Sequence, residues 1–303
     1  MVVEFWAFED RPISWDAWDI DPFYEDRPEK VSGVTSITVT ETGPLRAAVR
    51  VERRFRSSTI VQDIRLTDRS AALEFATEVD WHETHTLLKV AFPMSANAPN
   101  ATYDIQWGHI DRPTSRDSRK DASRFEVCGH KWAALNDGGY GCAILNDCKY
   151  GHDTLGNVIR LTLIKSSTMP DPEADQGLHE FTYALMGAHG PTFEAIRAEA
   201  EALNHPVLLA PGLDRLPTLV QTDASNVIVQ TVKPSEDGRG FVVRLYESEG
   251  RETDCRLAYA NKPAAIAETD LLERDGDAID LDEKIQFNPF QIRSFRILPK
   301  AIQ

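Results

Sequence analysis

Apolar residues in this chain recur at every second position, segment after segment, and an alternation of that kind is buried as a β-strand. Leu73, Phe75, Thr77, Val79 and Trp81 fall on one face, with Glu74, Ala76, Glu78 and Asp80 on the other. Upstream, Ala47, Val49 and Val51 alternate with arginines as far as Arg56. Ser57-Ser58 then leads into 59–66, so the pair reads as a hairpin. The same reasoning predicts strands over 87–92, 103–107, 140–145, 158–164 and 180–186.

One segment follows a different period. Between Pro191 and Pro206, Phe193, Ile196, Ala200 and Leu203 recur at helical spacing. Thr192 can cap the N-terminus, Glu194 suits its positive end, and Asn204 before Pro206 stops it, which predicts one short helix near 192–204. The Pro/Gly-punctuated stretch 206–217 reads as a domain junction. Strands are predicted again over 226–232, 241–246, 255–259 and 290–298, separated by the turn signals Ser235–Gly238 and Asp275-Gly276. The expectation is an all-β chain, with a large domain over 1–212 and a smaller terminal β-sandwich over 213–303. A length of 303 residues agrees, at roughly 150 per domain.

Composition narrows the function classes. Lys and Arg number 33 against 48 Asp and Glu, so the formal charge of −15 repels phosphate backbones and anionic lipids. No nucleic-acid or membrane partner is expected, and no apolar run approaches the ~20 residues that span a bilayer. The opening residues 1–12 have no basic region and no small-residue cleavage site, so no secretory leader is predicted. The four cysteines, Cys128, Cys142, Cys148 and Cys255, form no C-x-x-C pair. They read as free thiols in a reducing cytoplasm rather than as a disulfide framework or a zinc knuckle.

Three local constellations carry possible chemistry. In Trp81-His-Glu-Thr-His85 two histidines flank a glutamate, but at a spacing of three in a strand context they do not share a face, as a zincin pair does. The segment Trp15-Asp-Ala-Trp-Asp-Ile-Asp21 mixes two tryptophans with three aspartates. Sugar sites use that mixture, and so do core anchors with capped turns. Residues 145–153 concentrate Asn146, Asp147, Lys149, Tyr150 and His152 between glycines, either as a binding loop or as an Asx-stabilised turn. Paired carboxylates could also serve glycoside hydrolysis at ~5–9.5 Å separation. With 48 acids in the chain, no pairing stands out.

Beyond single motifs, an ordered series resembles the C-terminal portion of family 38 α-mannosidases, in the bacterial and fungal cytosolic or vacuolar branch. It runs from Phe8-Glu-Asp-Arg-Pro12 and Trp15-Asp-Ala-Trp-Asp19 through Tyr103-Asp-Ile-Gln106, Arg112-Pro-Thr114, Phe125-Glu-Val-Cys128 and His130-Lys-Trp132. Leu145-Asn-Asp-Cys-Lys-Tyr-Gly151, Pro170-Asp-Pro172, Phe181-Thr-Tyr-Ala-Leu185 and Asn288-Pro-Phe-Gln-Ile292 complete it. Gly129 and His152 depart from the pattern, where Ala and Tyr are expected.

The resemblance implies a galactose-mutarotase-like supersandwich followed by a smaller sandwich. It also implies a retaining exo-α-mannosidase whose aspartate nucleophile and Zn²⁺ ligands sit in an N-terminal α/β domain and helical segment whose motifs are not found here. No catalytic residue, metal ligand or cofactor is therefore expected in this chain. Its expected partners are the catalytic and helical domains of the same enzyme and terminal α-mannosides or oligosaccharides, and the expectation allows a homo-oligomer. Substrate contacts are expected from Asn146, Asp147, Lys149 and Tyr150, then from Asp16 and Asp19, acting by orientation rather than bond breaking. The alternative is a stand-alone carbohydrate-binding or mutarotase-like module, for which His82, His130 and Glu83 are the acid–base candidates.

Overall fold

The computed structural model describes residues 3–188, 192–208, 211–212 and 218–300. The chain forms two compact units, Met1–Ile105 with Ile110–Val207 and Gln106–His109 with Leu208–Gln303. The division expected after residue 212 falls on residue 213, outside the described residues.

In the first unit the strands are β1 (Glu4–Glu9), β2 (Pro28–Lys30), β3 (Val34–Thr42), β4 (Arg46–Phe55), β5 (Ser58–Thr67), β6 (Ala72–Trp81), β7 (Thr86–Pro93) and β8 (Asn100–Ile105). They continue with β9 (Gly108–Pro113), β10 (Val127–Cys128), β11 (Trp132–Asn136), β12 (Gly141–Asn146), β13 (Gly151–Leu155), β14 (Val158–Ser166) and β15 (Gly177–Ala188). They make two antiparallel layers. A six-stranded sheet has the order β10-β13-β14-β7-β1-β2, and a nine-stranded sheet the order β3-β4-β5-β6-β15-β12-β11-β8-β9. The alternation read in β6 is the core face: Phe75, Val79 and Trp81 are buried with Leu88, Val90 and Phe92 of β7 and with Ile159 and Leu161 of β14. Phe55 stacks on Trp81 at 6.0 Å between ring centres. Burying a large aromatic pair of this kind dominates the local energetics.

The larger sheet outgrows its partner. The cross-strand row Phe75–Ile64–Val49–Val39 carries the core face outward from β6 to β3. Phe75 is buried, Ile64 and Val49 are half-buried, and Val39 and the neighbouring Ile37 are exposed.

A short α1 (Arg119–Ala122) precedes β10, and α2 (Phe193–Asn204) is the predicted helix. Thr192 Oγ1 accepts from Ala195 N at 3.2 Å, as the sequence anticipates. Ile196 and Ala200 then bury against Trp132, Ala143, Leu145 and Met186 on the outer face of the nine-stranded sheet.

The second unit holds β16 (Val220–Thr222), β17 (Val227–Pro234), β18 (Phe241–Glu247), β19 (Thr253–Cys255), β20 (Leu257–Tyr259), β21 (Ala265–Thr269), β22 (Asp275–Ile279), β23 (Ile285–Phe287) and β24 (Ile292–Leu298). A five-stranded sheet β17-β18-β24-β21-β22 and the pairs β16-β20 and β19-β23 enclose Val243, Leu245, Phe287, Phe295 and Ile297. Two expectations are corrected here. The strand read over 255–259 breaks at Arg256, whose backbone bonds Asp223 on both sides, so its halves pair with different strands. The last strand begins at Ile292 rather than 290, because the buried Glu247 carboxylate gathers the backbone N–H groups of Glu249, Gly250, Arg251 and Phe290 into a turn.

Candidate functional site

The expected site residues fall in two places within the first unit. Asn146, Asp147, Lys149 and Tyr150 form the connection from β12 to β13. Asn146 is the last residue of β12 and is fully buried. Its Nδ2 donates to His130 O at 2.7 Å, and its Oδ1 accepts from Lys149 N at 2.9 Å. Its backbone N–H donates to Lys131 O, and its carbonyl accepts from Asn204 of α2 at 2.9 Å. Asp147 exchanges bonds with Thr182 in both directions, N–H to carbonyl at 3.1 Å and Oδ2 from Thr182 N at 2.9 Å. Its Oδ1 has no hydrogen-bond partner but is shut away from solvent. Lys149 Nζ lies 4.5 Å from the Phe181 ring centre, and Tyr150 stands half out of the surface against His130. The turn is therefore braced by its own polar groups, and only its tip reaches solvent.

Asp16 and Asp19 belong to a loop from Arg11 to Phe23. Here Asp16 faces inward, as do the flanking Asp10 and Asp21, whereas Asp19 is exposed. Asp10 accepts from Asp21 N at 2.8 Å and pairs with Lys165 at 3.0 Å. Asp16 accepts from the backbone N–H groups of Thr168 at 2.7 Å and Met169 at 3.1 Å, and its carbonyl takes the Lys165 ammonium. Burial works to raise the Asp16 carboxyl, but those amides together with His85 and Lys165 outweigh it and hold it below the usual range. Asp19 accepts from Ile20 N at 2.9 Å. The Trp15 carbonyl accepts from both Trp18 N and Asp19 N, closing a tight turn in which Trp15 takes a left-handed φ of 61°.

What this anchoring presents is apolar. Trp15 and Trp18 are each 73% exposed and Ile13 is 96% exposed, with Phe23 and Met169 also outward. Rings of that size held in water by a braced loop are the mark of a contact surface rather than of a core. Composition signalled the tryptophans. Ile13 and Met169 carried no sequence signal at all.

The loop is clamped to the six-stranded sheet by a buried ionic cluster. Lys89 of β7 is fully buried and lies between Glu126 and, at 2.8 Å, Asp153 of β13. Tyr24, at the far end of the loop, covers the ammonium at 5.1 Å and donates to Asp153 Oδ2 at 3.2 Å. Burial opposes the Lys89 charge, yet Asp153 and Glu126 more than compensate and raise it above the ordinary lysine range. Glu126 is itself pushed up, by burial against the pull of Lys89. Arg160 and Arg116 share Glu25 at the rim. Beside this cluster the outer face of β1, β7 and β14 opens a groove of about 570 Å³, lined by Trp6, Phe8, Ala91, Pro93, Leu155 and Val158.

The two departures from the family pattern meet in space. His152 is fully buried with Nδ1 on the Tyr150 carbonyl at 3.2 Å and its ring against Tyr103. A Cβ at position 129 would stand 3.1 Å from Tyr103 and 3.2 Å from His152, so glycine is the residue that leaves them room. Burial pushes the His152 imidazole down to about 4.

Among the described residues metal chemistry finds no fitting donor set. Past the end of β6, His82 pairs with Asp80 at 2.9 Å, while His85 faces Asp16 at 3.7 Å and Thr168 at 3.1 Å. Among the described residues no three His, Cys, Asp or Glu side chains are placed to hold an ion. The acid–base trio is not assembled either: Glu83 is occupied by Ser57 N and Ser58 Oγ, and His130 packs on Tyr150.

Comparison with known proteins places these features. Residues 1–173 match the family described as "Glycosyl hydrolases family 38 C-terminal domain", and residues 226–295 its "C-terminal beta sandwich domain". Alpha-mannosidase G of Dictyostelium discoideum is 37% identical, over 96% of this chain and 28% of its own length. Alpha-mannosidase 2C1 of Homo sapiens is 36% identical, over 97% of this chain and 30% of its own length. The chain thus spans less than a third of these curated relatives. In structure it is similar to an alpha-mannosidase from Enterococcus faecalis V583, with a TM-score of 0.79 at 19% identity, over 97% of this chain and 38% of that one, a likeness of fold. With the matched family spanning more than half of the sequence, the chain belongs to the C-terminal region of glycoside hydrolase family 38.

Proposed function

We propose that this chain is the non-catalytic β portion of a retaining exo-α-mannosidase acting on terminal α-mannosides. The bond-breaking carboxylates and a Zn²⁺ centre would then reside in the α/β catalytic and helical domains of the same enzyme, in the cytoplasm. The four free cysteines, two of them buried, agree with a reducing compartment. No helix among the described residues is long and apolar enough to cross a membrane.

The observation that carries this reading is the braced loop with Trp15 and Trp18 each 73% exposed. A loop fixed by Asp10, Asp16, Asp21 and the Lys89 cluster holds its rings in place without a partner, so little ordering cost falls on binding. We assign those rings, with the neighbouring groove, to docking against the catalytic domain and to the edge of the sugar pocket. Asn146 and Asp147 shape the turn that carries Tyr150 to that edge, and Asp16 and Asp19 set the ring positions. In the intact enzyme, Trp15→Ala with Trp18→Ala is expected to lower kcat/KM on an aryl α-mannoside at least ~10-fold, as loss of substrate-positioning contacts does. Unchanged kinetics would overturn the assignment.

The same exposed rings also suit a stand-alone sugar-binding module. Titration of the isolated chain with mannose separates the two: saturable binding that is lost in the double variant favours the module, and no binding favours the enzyme portion.

A further inference from the structure

A pocket formed by β8, the end of β9 and the segment around α1 is not used by the docking assignment above and has the composition of an anion site. Arg112, Arg116 and Arg124 line it, with Tyr103, Ser115 and Thr154. Three arginines on one small concavity stand out in a chain of net charge −15. Their charges are not spent equally. Arg116 pairs with Glu25, which it shares with Arg160, whereas Arg112 and Arg124 have no ion-pair partner among the described residues. Asp121 is the one acid on the lining, and the two arginines without an ion-pair partner outweigh it, which leaves the pocket positive.

Arg112 is the unusual member. Its guanidinium lies over the Tyr103 ring, 4.8 Å from the centre. Its Nη1 is shut off from solvent and has no hydrogen-bond partner. A buried N–H donor left unpaired is costly, and native structures seldom keep one without a purpose. The Tyr103 hydroxyl donates to Thr154 Oγ1 at 2.7 Å, which frees the Thr154 proton for another acceptor. Burial holds the Tyr103 phenol up at about 12, so it stays protonated at neutral pH. The pocket's volume is about 10 Å³, room for about one oxygen atom, so a bound oxyanion would seat one oxygen and keep the others in solvent.

We infer that this pocket binds a phosphate group, with the planar fork of Arg112 and the unpaired charge of Arg124 on its oxygens and the Thr154 hydroxyl as a third donor. Arginine forks match tetrahedral oxyanions in charge and geometry. Inorganic phosphate and a phosphate monoester share that chemistry.

The test is calorimetric titration of the full chain with inorganic phosphate at fixed ionic strength, then with glycerol 3-phosphate, and with acetate as a monoanion control. Saturable one-site binding of either phosphate, weakened ~10-fold or more by Arg112→Gln and by Arg124→Gln, is the expected result. Binding of both probes assigns the site to the phosphate group itself, and binding of the ester alone assigns it to a phosphorylated small molecule. Arg124 is exposed, so its variant keeps the fold, and thermal melting checks both proteins. Arg112→Lys, which retains charge and loses the fork, is expected to bind between wild type and the Gln variant. No saturable heat with either phosphate overturns the inference, and so does equal binding by wild type and both Gln variants.

Discussion

In the turn from Asn146 to Tyr150 the polar side chains close on the protein itself: Asn146 braces both ends, and Asp147 clasps Thr182. In the loop from Arg11 to Phe23, Asp16 and Asp21 do the same inward work, yet Trp15, Trp18 and Ile13 remain in water. The two regions are built from similar residues. What separates them is where the apolar surface goes. In both, carboxylates and amides pin the backbone, and the group left free to meet something else is aromatic. Asparagine and aspartate are good at holding backbone N–H groups in irregular segments, so a cluster of them near glycines more often fixes a shape than binds a ligand.

That contrast can be broken. The largest effect is expected from Lys89→Met, which leaves Glu126 and Asp153 buried without their shared cation and loosens the Tyr24 end of the loop. A loss of about 3–5 kcal/mol in urea unfolding is expected. A near-neutral result would mean that the loop is held without its clamp.

The next effect is a pH dependence beside the turn. His152 is neutral in the folded chain because burial lowers its pKa to about 4, against about 6.5 when unfolded. The unfolded state therefore takes up the proton first. Stability is complete above about pH 6.5 and falls as the pH drops toward 4, by up to about 3 kcal/mol from this group. His152→Gln is expected to flatten that portion of the stability curve, and an unchanged slope would assign it to the carboxylates.

Asn146→Ala is expected to cost about 2–3 kcal/mol, since His130 O and Lys149 N lose their buried partner. By contrast, Trp15→Ala with Trp18→Ala should move the unfolding midpoint by less than about 0.5 kcal/mol, as exposed positions do. A large loss there would make the rings structural, and the two regions would then be alike.

Much of the scaffold was legible because its signals are local. The face of β6 is written in the spacing of Phe75, Val79 and Trp81, and α2 announces itself through Thr192, Ile196, Ala200 and Asn204. Strand β3 was not read, because Val34, Ile37 and Val39 stand among threonines on a strand exposed on both faces, and alternation marks only a strand that is half buried. The candidate site was legible as composition but not as geometry. The partners of Asn146 are His130, Lys131 and Asn204, and those of Asp16 are Thr168 and Met169, all brought in by topology. Lys89, lying within an apolar run, gave no hint that Glu126 and Asp153 would surround it.

The overhang of the nine-stranded sheet bears on how the chain behaves in concentrated solution. Strand β3 is an outer edge of nine residues with Val34, Ile37 and Val39 uncovered and no proline along it. An edge of that kind is a template for another strand. A net charge of −15 sets copies of the chain against one another, and salt shortens the reach of that repulsion to about 3 Å at molar strength. Long-range charge is thus a guard against edge-to-edge pairing at β3, and it weakens as salt is added.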